Sequence, residues 1–175
     1  MEILGGYLKR IAFLDGQILH DFHLNIMQRN IAESIKQKVT QERYDILLMT
    51  SNYDYFFCEP LIDTSNRDSS SDADLNNLTF TVHEGSWITS MLELPEVTDE
   101  IYIYANFEDF PDRNAKVKFF YRTAVTNAWR EVNVDTAIPV AGGAKYIQLK
   151  SELTYTGTVR PTLHDFALLS RKKRN

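Results

Sequence analysis

Cysteine is almost missing from this 175-residue chain, where Cys58 stands alone. An internal disulfide is thereby excluded, and so is any Cys-rich zinc or iron–sulfur module. Glycine is scarce as well, at seven residues, which leaves little material for strained functional loops. No apolar run approaches the ~20 residues that cross a bilayer as a helix. The opening stretch, MEILGGYLKR, lacks the basic start and long apolar block of a secretory signal. Positive charge is in deficit: 19 Lys and Arg against 24 Asp and Glu leave −5. Phosphate binding relies on clustered basic residues, so the balance speaks against nucleic acid as a partner. Together these absences predict a soluble protein, made in a reducing compartment, with no membrane insertion.

Catalytic signatures are missing too. No G-x-x-x-x-G-K-[ST] exists to cradle phosphates, no G-x-G-x-x-G opens a helix, and no H-E-x-x-H pairs two imidazoles. Gly85-Ser86 lacks the rest of a nucleophile elbow. His20 and His23 have helical spacing but no third and fourth ligand, so they read as the polar start of a helix rather than a metal site. Asp72, Asp74 and Asn76 open like a calcium loop, yet its glycine position is Asn77 and its bidentate glutamate position is His83. Cys58 follows three aromatic residues and precedes Glu59, which reads as an inert thiol. The expectation is a protein that is not an enzyme and has no cofactor and no metal.

What is present falls into four stretches. Residues 1–45 read as a hairpin and helix. Asp15-Gly16 is a two-residue turn signal, placing a β-hairpin over 7–20. A helix over roughly 21–43 follows, with Asp21 as N-cap. Leu24, Met27, Ile31, Ile35 and Val39 recur at helical spacing as a narrow apolar stripe with polar flanks. A stripe this narrow suits docking on another chain, so Phe22, Leu24, Met27, Ile31, Ile35 and Val39 are the expected protein interface. Residues 46–77 read as a connector followed by an exposed loop, since 63–77 is nearly all Ser, Asp and Asn. Residues 78–170 repeat short alternating runs split by turn signals, among them Pro111-Asp112-Arg113-Asn114 and Gly142-Gly143. That pattern predicts an antiparallel β-sandwich, jelly-roll-like. Residues 171–175 are a basic tail. The predicted fold is therefore mostly β with an N-terminal α-helix.

Particular residues in this layout carry a resemblance. Phe13-Leu14-Asp15-Gly16-Gln17 leads into Asp21-Phe22-x-x-Asn25-x-x-Gln28-x-Asn30, and Leu78-Thr79-Phe80-Thr81 comes after a polar loop. The chain closes with Ile147-Gln148-Leu149-Lys150, Gly157-Thr158, Pro161-Thr162-Leu163 and Phe166-Ala167-Leu168-Leu169. Nearly the full chain resembles small baseplate and tail structural proteins of large contractile-tailed bacteriophages of Gram-positive hosts. One departure is Lys150, where arginine is common in such domains. The resemblance implies a virion protein of the tail baseplate, made in the host cytoplasm. It also implies a homo- or hetero-oligomer with other baseplate or tail proteins as partners, and no catalysis.

Two other readings compete. A carbohydrate-binding β-sandwich module would recognise host-wall glycan on flat aromatic faces. Tyr102 and Tyr104 share one strand face for that purpose, and Trp87 and Trp129 are further candidates. A glycoside hydrolase would need two carboxyls about 5–10 Å apart, and Glu100, Glu108, Asp109 and Asp112 cluster in sequence.

Overall fold

Alternation of apolar and polar residues dominates the second half of the chain, and it is realised as an antiparallel sheet. The computed structural model describes residues 21–50, 52–77 and 79–172. Among the described residues one α-helix, α1 (Asp21–Thr50), precedes seven strands, with a single 3-10 turn at Pro111–Arg113. These are β1 (Tyr55–Glu59), β2 (Gly85–Ile88), β3 (Leu92–Glu108), β4 (Lys116–Arg122), β5 (Arg130–Val132), β6 (Ala137–Thr154) and β7 (Thr162–Arg171). The sheet order is β1-β7-β3-β6-β4-β5, with β2 also paired to β6. Every pairing is antiparallel. The expected hairpin over 7–20 lies outside the described residues.

Strand β6 organises the sheet. Its first half, up to Ile147, pairs with β3. From Gln148 onward it pairs with β4, while Lys150–Leu153 also pair with β2. Ile147, Leu149, Ser151 and Leu153 alternate along it and are all buried, as a strand with one face in the core requires. Val117, Phe119 and Tyr121 on β4 do the same, with Lys116 and Lys118 outside. Phe119 meets Phe107 on β3 at 5.4 Å and Phe166 on β7 at 6.4 Å. β4 is bonded to neither strand, yet all three contribute to one core that also holds Trp87, Ile101, Ile103 and Leu168.

Several details depart from the sequence expectations. The helix runs seven residues past 43, because the chain offers no glycine or proline to stop it before Pro60. The connector contains β1, which pairs with β7 from Tyr55↔Ser170 to Glu59↔Phe166. The polar loop is not free. Asp68 N–H donates to Ile88 O, Ala73 N–H to Ser86 O, and Ala73 is fully buried. Asp63 and Asp68 accept backbone N–H groups two residues on, so the loop satisfies its own backbone while it covers the edge of β2. Within Leu78-Thr79-Phe80-Thr81-Val82, a β-type run by composition, Thr79 and Phe80 form a tight turn with Phe80 at φ 53°, and Thr81 and Val82 make only isolated bridges, to Asn76 and Leu163. Gly142-Gly143 is not a turn between strands but a kink inside β6, both residues at positive φ, opposite an irregularity in β3 around Thr98. Arg171 ends β7 rather than opening a tail, and its guanidinium pairs with Glu100 at 2.6 Å.

Gly85 and Gly142 separate two ways in which a side chain can offend. Both have positive φ, but a Cβ on Gly85 would lie 2.9 Å from Ala73 Cα, whereas Gly142 has open space around it. Gly142→Ala is expected to cost about 1 kcal/mol from backbone strain alone. Gly85→Ala should cost more, roughly 2–4 kcal/mol, since the covering loop must move as well. Urea denaturation of the two variants would reverse that order only if the loop did not rest on β2.

Candidate functional site

Helix α1 sits on the sheet by its polar side. Lys36, Thr40, Arg43 and Tyr44 follow the i, i+4, i+7, i+8 spacing of a single helix face. Thr40 and Tyr44 are buried there. Their counterpart is Asp165 on β7, 2% exposed within a strand that is otherwise apolar from Leu163 to Leu169 except for His164. Asp165 accepts hydrogen bonds from Arg43 Nη1 at 2.9 and 3.2 Å, from Tyr44 Oη at 2.6 Å and from Asn106 Nδ2 at 3.2 Å. A buried carboxylate is tolerated when its lone pairs are used in this way. Burial and the neighbouring Asp165 carboxylate keep the Tyr44 phenol protonated far above its ordinary range. The Tyr44 ring also stands edge-on to Tyr104 at 5.6 Å.

A second anchor lies two turns earlier. Lys36 Nζ donates to the carbonyls of Phe80 and, at 2.9 Å, His164. Burial lowers its pKa from 10.5 to about 8. Phe80 occupies the left-handed region, which costs a non-glycine residue on the order of 1–3 kcal/mol. Its ring is buried and its carbonyl is held by the helix, so the same contact fixes the turn and the helix together.

The apolar stripe consequently points away from the sheet. Ile31 is 48% exposed, Ile35 59% and Val39 52%, and Ile46 extends the same face. At 100° per residue the centre of this ridge lies about 125° round the helix from the centre of the clamped side, with Ile35 about 180° from Tyr44. Fully burying an Ile or Val side chain is worth about 1.5–3 kcal/mol, and a large part of that is unrealised at each position. Phe22, Leu24 and Met27 also belong to α1, but their side chains lie outside the described residues.

The other candidate residues are dispersed. Tyr102 packs against Tyr53 at 5.8 Å, and Tyr104 against Tyr44. Trp87 is fully buried, with the Arg67 guanidinium 5.5 Å from its ring. Trp129 lies half-buried between Arg122 at 4.3 Å and Lys150 at 5.5 Å. Glu100 is buried against Arg171 and accepts a bond from the Tyr53 hydroxyl at 3.1 Å. Glu108 lies eight residues further along β3, roughly 25 Å away at the rise of a strand, so those two do not form a hydrolytic pair. Asp72 accepts the Ser86 N–H and thereby pins the covering loop.

A polar cleft of about 180 Å³ separates α1 from the segment after β1; Gln37, Gln41, Cys58, Glu59, Asp63 and Asn66 line it. Burial pushes the Cys58 thiol well above its ordinary pKa, which makes it a poor nucleophile. Burial also raises Glu59 from 4.5 to about 7, although its Oε1 accepts the Leu61 N–H at 3.1 Å. Glu59 Oε2 and the Trp87 indole nitrogen are buried without a hydrogen bond of good geometry, although the Trp87 and Asn66 side chains are near enough as donors to oppose the rise.

The sequence pointed to the ridge but not to the clamp. Two signals for it existed: a polar i, i+4, i+7, i+8 face on α1, and a lone aspartate in an apolar strand. No protein-family model matches this chain, and comparison with curated proteins finds no match.

Removing the Asp165 carboxylate should release the helix. Asp165→Ala is expected to cost about 3–5 kcal/mol, because Tyr44 and Arg43 lose their acceptor in a buried setting. Tyr44→Phe should cost only about 1–2 kcal/mol. Equilibrium urea unfolding followed by far-ultraviolet circular dichroism measures both. Glu59 gives a separate test. Its folded pKa is raised, so its favourable contribution is complete below pH 4.5 and is lost as pH rises through 7. The loss amounts to roughly 3 kcal/mol. Glu59→Gln should flatten the fall in stability between pH 4.5 and 8; parallel pH profiles for the two proteins would disprove the assignment.

Proposed function

We propose that this protein is a non-enzymatic structural protein of a phage tail baseplate, assembling with other baseplate proteins through its N-terminal arm. The observation that carries this reading is the outward ridge Ile31–Ile35–Val39 on a helix fastened by its polar side. A helix whose oily side served its own core would be turned the other way. Here the sheet holds the helix at one angle and leaves the ridge presented. The virion context comes from the resemblance of the chain to baseplate proteins. In this reading the folded-over sheet is a jelly-roll-like sandwich serving as a rigid spacer, and the virion is where the protein resides.

Glycan recognition has less to stand on. Tyr102 and Tyr104 already have ring partners in Tyr53 and Tyr44, which takes up part of the flat surface a sugar would need.

The test is the double variant Ile31→Asp with Ile35→Asp. Both positions are exposed in the isolated chain, so stability should change by no more than about 0.5 kcal/mol per site. Native mass spectrometry of the chain co-expressed with proteins encoded beside it should show a complex for the wild type and its loss for the variant. Unfolding of the variant, or a complex of unchanged mass, would defeat the proposal.

A further inference from the structure

The ridge has an internal symmetry that limits what can cover it. By helical spacing the sequence sets Leu24, Gln28, Ile31, Ile35, Val39, Glu42 and Ile46 on one face of α1. They are arranged symmetrically about Ile35. When two copies of the helix are laid antiparallel about that residue, Ile35 meets Ile35, Ile31 meets Val39, Leu24 meets Ile46 and Gln28 meets Glu42. Every apolar position finds an apolar one, and the two polar positions, Gln28 and Glu42, find each other, an amide beside a carboxylate. Laid parallel and in register, the same helices would set Glu42 against Glu42 and Lys38 beside Lys38, and like charges at helix-packing distance repel. An isologous two-fold contact requires a surface that complements itself when reversed, and this one does.

We propose that the partner of the ridge is the ridge of a second copy, packed antiparallel about Ile35. The proposal rests on the reading of the ridge as a docking surface and names its occupant. From Leu24 to Ile46 the contact would run about 33 Å at 1.5 Å per residue. A strip of that length and one helix wide lies near the lower end of specific interfaces, so the pair should dissociate on dilution. The clamp to Asp165 contributes by holding each helix straight and at fixed orientation before contact, which lowers the ordering cost of association.

Sedimentation and cross-linking of the full chain decide the matter, with single cysteines introduced in a Cys58→Ser background. The wild type should sediment as a concentration-dependent dimer. Ile35→Cys should oxidise to a disulfide-linked dimer. Glu42→Cys alone should not, since its two copies would lie about 21 Å apart along the axis, against a Cα separation of at most ~7 Å for a disulfide. Mixing Gln28→Cys with Glu42→Cys should restore the cross-link. Self-linking of Glu42→Cys would establish a parallel pair and overturn the proposal. So would a chain that remains monomeric at every concentration with Ile35→Cys reduced. In that last case, incorporation of wild type but not of the Ile31→Asp, Ile35→Asp variant into a complex with other proteins would keep the docking surface and remove only the second copy as its occupant.

Discussion

A single buried carboxylate decides how this molecule is put together. Asp165 interrupts an apolar strand, and an unpaired charge there would be intolerable. Arg43, Tyr44 and Asn106 satisfy it, and two of those three belong to the helix. The helix is therefore required by the sheet as a source of hydrogen bonds rather than as a source of oily surface. With its polar side committed, the apolar side has nowhere to go but outward. Lys36 reinforces the arrangement by capping two carbonyls, one of them in a strained turn.

This division of labour separates the residues that fasten the helix from those it exposes. In an ordinary amphipathic helix the same residues bind the core and define the surface left over. Here the contacts that fasten α1 are directional and charged, while the exposed face is apolar and shape-dependent. Substitutions on one side should leave the other nearly untouched, because the two sets of residues share no partner. Polar fastening also fixes rotation about the helix axis more tightly than sliding apolar contacts do, since each bond is satisfied at only one angle.

The β-rich half was legible in the sequence because period-two alternation is a direct consequence of strand geometry. Val117, Phe119 and Tyr121 declared their burial in advance, and so did Ile101 and Ile103. Phe120, which breaks the pattern, is accounted for by Lys150, whose ammonium stands 4.1 Å from its ring. What the sequence concealed was long-range. The polar loop looked solvated because its composition is that of solvent-facing segments, yet Ser and Asp can equally well hydrogen-bond a neighbouring strand, as Ser71 does with Ile88. Gly142-Gly143 looked like a turn because positive φ serves turns and bulges alike. The orientation of α1 could not be read from its own stripe, since it depends on Asp165, 122 residues away from Arg43.

That separation has a consequence for synthesis. Arg43 leaves the ribosome well before its acceptor exists, and at 5–20 residues per second the interval is roughly 6–25 s. Throughout it the helix has no platform, and β1 likewise lacks β7, its only partner strand among the described residues. The arm is locked in place only once the last strand of the sheet has been translated. Vectorial production thus leaves the angle of the ridge unset until β7 has been made.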